Sequence, residues 1–379
     1  MSEARCKLLD RFRQLPLCTY WIATAQVRPK SQPRYIAVPK SFVLILAASA
    51  SAFLCLPASA SAQQFQVEKF NIGGEGGFDY LSADTTTNRV YVSRGTHVMV
   101  VDGTTGQVIH DLTDTPRVHG IAFAPKWNHG FTTNGGDSTS TMFDMKSMDV
   151  IRKVAAGKSG LDGIMYDDAT DRILTIDHSK PAGTTVVIDA KSGEVVTSIA
   201  LGGEGPEGGV SNGRDRIYIN LEDKHAIDVI DSKTWRVIAT WDISPCNGPT
   251  GIAMDRETNR IFSGCGNKSV VVDASNGKVV AEIPNGDGVD AMGFDPAQKL
   301  IYIPAGRSGN VTVVHEDSPD KYTVVATVPT MMGARTLTVN TVTHVAYLFG
   351  PEYGPAAAST NGRPGRAPIV GAWLIALKH

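Results

Sequence analysis

The sequence predicts an all-β fold: a seven-bladed β-propeller of four-stranded antiparallel blades. Three observations lead there. A pattern returns every 40–45 residues from about residue 65 to the end of the chain, and a fixed period of that length signals a repeat architecture. Each repeat holds four short runs rich in Val, Ile, Thr and Tyr, separated by turn residues. No stretch after residue 62 keeps apolar residues at helical spacing for twelve positions.

The first run of a repeat begins with small residues, as in HGIAFAP (119–125), DGIMYDD (162–168) and TGIAMDR (250–256). The second alternates: RVYVSR (89–94), RILTID (172–177), RIYINL (216–221), RIFSGC (260–265). The third ends on an acid, as in HVMVVD (97–102), TTVVID (184–189), AIDVID (226–231) and SVVVD (269–273). The fourth is a β-branched run: GQVIHDL, GEVVTSI, WRVIATW, GKVVAEI. ADTTTNR, DRETNR and DPAQK join first to second, and DAKSG and DASNG join third to fourth, which is hairpin chemistry. A lone four-stranded sheet cannot bury both faces, whereas sheets stacked round an axis can. The acids Asp102, Asp144, Asp189, Asp231 and Asp273 lie 42, 45, 42 and 42 residues apart, and His315 follows another 42 on. The last repeat supplies RTLTVN (335–340), VAYLFG (345–350) and GAWLIAL (371–377) and stops one strand short. QVEKFNIGGEGG (66–77) aligns with EVVTSIALGGEGPEGG (194–209), a fourth strand leading into the next blade. The expectation is therefore an N-terminal strand that completes the last blade and leaves no open edge.

YVSR at 91–94 and the turn-bounded VVDGTTGQV at 100–108, with its echoes, resemble the YVTN-type seven-bladed propellers related to YncE. The resemblance covers roughly residues 65–379. It implies the fold and says little of function, since such propellers range from binding proteins to subunits of redox enzymes. No repeat is a strict YVTN, and the GH…WD marks of WD40 repeats are absent.

Residues 1–62 stand apart. SFVLILAASASAFLCL (41–56) is a short apolar stretch preceded by Arg28, Lys30, Arg34 and Lys40 and followed by ASASA. That reads as a secretory signal with cleavage near 62/63, following an N-terminal extension, and it leaves 63–379 as one propeller domain. Sixteen residues are too few to span a bilayer comfortably. The expected location is the periplasm or the exterior, with no membrane span in the mature chain and a monomeric state. Residues 1–62 carry eight basic and two acidic residues out of the chain's 36 and 38, so the remainder has a formal charge near −8. An acidic domain without basic runs is a poor nucleic-acid binder, and none is expected as partner. Of five cysteines, Cys246 and Cys265 lie in the domain. Two cysteines in an exported protein suggest a disulfide, with a metal or redox site and two free thiols as the alternatives.

Motifs of known chemistry are absent: there is no P-loop, GxSxG, HExxH, CxxCH or EF-hand loop. The remaining signal is positional. The residue opening the first strand of each blade stands at the mouth of the central channel. That column reads Asp79, His119, Asp162, Glu207, Thr250, Asp290 and Arg335. Crowded carboxylates shift pKa values and attract cations or polar ligands. His119, Asp162, Glu207 and Asp290 could hold a divalent metal (Ca, Zn or Mn), while Arg335 could meet an anionic group. A polar funnel of mutual salt bridges is the structural alternative.

The loops after the second strands reach the same face with His97, Asp137, His178, Lys180, Lys224, Lys268 and Arg307. The longest, PEYGPAAASTNGRPGRAP (351–368), suggests a cover with Tyr353, Arg363 and Arg366 as contacts. Three functions compete. The first is a binding or scaffold propeller that takes a small ligand or protein partner at this loop-rich face. The second is a metal-dependent enzyme of the lactonase or lyase type. The third is an accessory subunit of a periplasmic dehydrogenase.

Overall fold

The computed structural model describes residues 64–74, 76–355 and 367–379. The expected leader and its expected cleavage site, together with Arg363 and Arg366, lie outside them. The described strands form seven four-stranded antiparallel sheets arranged as a β-propeller. Blade one spans 81–112, blade two 118–155, blade three 161–200, blade four 206–242, blade five 252–284 and blade six 293–329. Two single-turn 3₁₀ segments, Pro125–Trp127 and Glu222–Lys224, are the helical elements among these residues. Blade seven takes Leu337–Asn340, Val345–Tyr353 and Ile369–Lys378, and its outer strand is Gln66–Asn71. That outer strand runs antiparallel to the last one, from Gln66 opposite Lys378 to Asn71 opposite Trp373.

Burial follows position in the blade. Second and third strands are almost wholly buried, as in Arg172–Asp177, because neighbouring blades cover both faces. Fourth strands form the rim and alternate, as Arg236–Asp242 does. The fully buried Tyr91, Tyr218, Tyr302 and Tyr347 occupy equivalent places in second strands and fill the seams between blades. The Tyr218 hydroxyl donates to the Ala274 carbonyl of the next blade at 3.1 Å. The Tyr347 hydroxyl does the same for Gly103 across the seam from blade seven to blade one, at 3.1 Å. A buried phenol needs such an acceptor, so these two hydroxyls fix how their blades meet.

The periodic acids close hairpins. Asp102 Oδ1 accepts from the backbone N–H groups of Thr104 and Thr105 at 2.9 and 2.8 Å, and Asp144, Asp189 and Asp231 repeat the motif. The backbone donors hold Asp102, Asp144 and Asp231 below the usual carboxylate range. Asp102, Asp189 and Asp231 stand opposite the arginine that opens the second strand, whereas Asp144 stands opposite His129. Arg172 and Arg216 reach Asp189 and Asp231 at 3.0 and 2.8 Å. This cross-strand pair explains why the repeat keeps Arg at one position and Asp at another.

The hairpin of the last blade is longer than the sequence suggested. Pro351, Glu352 and Tyr353 pair with Ala372, Gly371 and Ile369, so Tyr353 belongs to a strand rather than to the connecting loop. The alternation of Glu352, Tyr353, Ile369 and Val370 continues the ladder through a segment whose Gly and Pro content reads as loop.

One seam carries a titratable pair. Between blades five and six, Glu316 accepts from Thr258 Oγ1 at 2.9 Å and Tyr322 at 3.4 Å and faces Asp255. Burial, then the hydrogen bond to Asp255, pushes Glu316 up to about 7. Burial would also raise Asp255, but Lys299 at 2.9 Å outweighs it and holds Asp255 below its usual range. Lys299 also pairs with Glu257 at 2.8 Å. A folded pKa above the unfolded value means Glu316 keeps a proton that the unfolded chain releases. Its contribution is therefore full below the ordinary glutamate range and is lost as pH rises through about 7. Glu316→Gln should remove about 1–2 kcal/mol, after screening, of the fall in unfolding free energy between about pH 4.5 and about pH 7. Identical pH profiles for variant and wild type would show that the pair does not share a proton.

Candidate functional site at the channel mouth

Three of the seven column residues reach the channel mouth by one local device. His119, Asp162 and Glu207 each lie near the start of a first strand, in Val118–Ala124, Leu161–Asp167 and Pro206–Ser211. In all three blades the ladder to the second strand shifts register there, between 118/121, 161/164 and 206/209. Such a bulge re-aims a side chain that would otherwise lie flat against the sheet. A glycine follows each one. A Cβ on Gly163 would sit 3.0 Å from the Glu207 carbonyl, and one on Gly208 would sit 3.0 Å from that of Thr250. Only glycine lets the innermost strands crowd so closely, and the crowding brings the neighbouring side chains together.

The geometry divides the column into two sides. On one, His119 Nδ1 donates to Asp79 Oδ2 at 2.6 Å and lies 3.5 Å from Asp162 Oδ1. Asp162 Oδ2 lies 3.7 Å from His178 Nε2, which is 3.5 Å from Glu207 Oε1. Glu207 Oε2 accepts from the Tyr80 hydroxyl at 3.3 Å. On the other, Arg335 Nε donates to Asp290 at 2.5 Å, and its guanidinium approaches Asp79 at 3.5 Å while lying 4.8 Å over the Phe78 ring. Thr250, the non-ionisable member, donates to the Val289 carbonyl at 3.0 Å and ties blade five to blade six.

Burial dominates the electrostatics. It pushes Glu207 up to about 9, with Asp162 and Asp290 adding to the rise. Asp162 goes to about 6 through burial and then Asp79, with both imidazoles pulling the other way. Asp290 is raised by burial despite Arg335. Burial of the His119 ring opposes protonation, yet Asp79 and Asp162 outweigh it and hold its pKa above the usual value. Tyr80, buried against Glu207, is raised well above its usual value. At neutral pH the mouth keeps a proton on Glu207, and Asp79 and Asp162 shift His119 toward the imidazolium form.

Sequence reasoning placed His178 only among the outer loops, yet the structure brings it into the ring. The His178 N–H donates to the Gly160 carbonyl at 2.8 Å, which folds the loop back over the mouth. Tyr80, which follows Asp79 in the chain, is a ring neighbour that no sequence motif marked. The remaining loop residues pair locally: His97 with Asp111, Asp137 with Lys153, Lys180 with Glu204, Lys224 with Asp223, Lys268 with Glu282 and Arg307 with Asp287. Two clefts flank the ring. One of about 780 Å³ is lined by Phe78, Asp79, Arg117, His119, Tyr353 and Val370. The other, about 900 Å³, includes Glu222, Asn247, Thr250, Asp290, Arg307 and Arg335. Cys246 and Cys265 are joined by a disulfide, with Cα atoms 5.6 Å apart, and Cys265 lines the second cleft.

The chain is 24% identical over 191 residues to the uncharacterized protein YncE of Salmonella typhi and of Salmonella typhimurium. The match covers 47% of this chain and 52% of each relative, so it spans about half their length. The chain is a seven-bladed β-propeller with weak sequence similarity to YncE. No family model matches it. Among solved structures, a chain of Kuenenia stuttgartiensis hydrazine synthase superposes with a TM-score of 0.64 at 17% identity, over 72% of this chain and 92% of that one. A chain of a mitotic checkpoint complex gives 0.64 at 12% identity, over 91% and 99%. At these identities the superpositions establish the fold alone. No helix among the described residues of the YncE-like chain is long and apolar enough to cross a membrane.

Proposed function

We propose that this YncE-like propeller is an exported binding protein that takes a small polar ligand in the mouth of its channel. The supporting observation is that Asp162 Oδ1 and His178 Nε2 are shut off from water without a hydrogen-bond partner, in a ring already crowded with buried carboxyls. Orphaned buried polar atoms cost about 1–3 kcal/mol each, and a ligand that satisfied them would offset that cost. The flanking clefts are of the size that encloses small molecules. The apolar leader and the disulfide support an oxidising compartment.

A second reading, a metal-dependent hydrolase or lyase, is favoured by the mixed His, Asp and Glu donors of the ring. A double variant, His119→Ala with Asp162→Ala, tests the binding reading. Native mass spectrometry of protein purified from its own host without chelator should show a small bound species. The variant should lose that species while melting no lower than wild type. A strongly destabilised variant, with nothing bound to the wild type, would make the ring a structural salt-bridge network.

A further inference from the structure

We propose that Asp162, His178 and Glu207 form a three-ligand site for one divalent transition-metal ion, with the fourth position open to the channel mouth. This rests on reading the mouth as a binding site and names what is bound there.

The separations carry the argument. His178 Nε2 stands 3.7 Å from Asp162 Oδ2 and 3.5 Å from Glu207 Oε1. Both are too long for hydrogen bonds. They are close to the ~3.3 Å that separates two donors on one tetrahedral ion when each lies ~2.0–2.1 Å from it. The three donor atoms all lie within 4.8 Å of one another. His178 Nε2 is shut off from water and makes no hydrogen bond, so its lone pair faces the two carboxylates without a proton between them being required.

A second group, Asp79, His119 and Asp162, meets the same spacing. There, however, His119 Nδ1 is already satisfied by Asp79 at 2.6 Å, so the ion belongs on the His178 side. Asp162 joins the two groups, and the Asp79–His119 pair would orient its other oxygen. Second partners of this kind steer a metal-bound carboxylate. Asp290 falls outside the site, held by Arg335 at 2.5 Å. One imidazole and two carboxylates suit zinc or manganese, whereas calcium prefers six to eight oxygens. Three protein ligands with one open position is the arrangement of sites where an exogenous group binds the ion.

Equilibrium dialysis of the full domain, stripped with chelator and titrated with zinc and manganese, reads the site directly. Wild type should take up one equivalent of zinc. His178→Ala should lower affinity at least ~100-fold, more than loss of an outer partner does. Glu207→Gln should do the same, with circular dichroism and melting showing that both variants fold. Asp290→Asn should bind as wild type. Uptake unaffected by His178→Ala, or abolished only by Asp290→Asn, would overturn the site. A wild type that takes up no metal yet keeps its small bound species in native mass spectrometry would also overturn it, and would leave the binding reading standing.

Discussion

Deleting Gln66–Ile72 is expected to cost roughly 5 kcal/mol and to make the protein aggregate. The segment supplies the outer strand of blade seven, six residues in register with the strand Ile369–Lys378. Ile72 is buried, Phe70 packs against the core shared by blades seven and one, and Val67 packs against the core shared with blade six. Gly106, at φ +71°, is shaped to this strand: a Cβ there would sit 2.2 Å from Phe70 Cβ. Lys378 reaches Glu68 at 2.5 Å. Without the segment, IVGAWLIALK offers a row of unpaired backbone groups at the point where the chain meets itself, a template for other chains. Thermal unfolding with light scattering measures the effect. Unchanged melting and solubility would mean that three strands suffice for blade seven.

Removing the Cys246–Cys265 bridge with serines should cost about 3 kcal/mol in the chain-entropy account, given a sequence separation of 19. Both cysteines are buried, and the bridge ties the connection between blades four and five to the end of blade five's second strand. Denaturant unfolding with and without reductant checks the value, and non-reducing peptide mapping should recover the linked pair. Free thiol at both positions in oxidised protein would refute the bridge. Since Cys265 and Asn247 line the larger cleft, reduction should also loosen that side of the mouth before the channel itself.

The fold was legible because each repeat spends its conserved spacing on backbone chemistry. Asp102, Asp144 and Asp189 mark third-strand ends since only a carboxylate or amide there can accept the turn's N–H groups. Asn88 and Asn259 mark the turns before second strands because asparagine tolerates their positive φ, 56° and 59°. The column Asp79 to Arg335 was legible for the same reason: position within a repeat fixes position round the axis. What periodicity could not show was pairing. It put Asp290 and Arg335 in one ring with His119, whereas the structure commits those two to each other. It left His178 in a loop column shared with His97, Lys224 and Arg307, which has no common chemistry. The approach of His178 to Asp162 depends on a bulge that pairs Leu161 with Asp177 and then skips two residues. That register is set by tertiary crowding at Gly163, which no local pattern encodes.

Gln66 and Lys378 are direct partners, so the two ends of the described domain emerge side by side at one point on the rim. A short linker could join them, and the chain could be reopened at an exposed hairpin such as the Lys191–Gly193 turn, giving a circular permutant with another blade as its clasp. A load applied between the ends meets this strand pair by peeling its bonds one after another rather than shearing them together. Blade seven should therefore give way first under tension, while the ring face opposite stays shut.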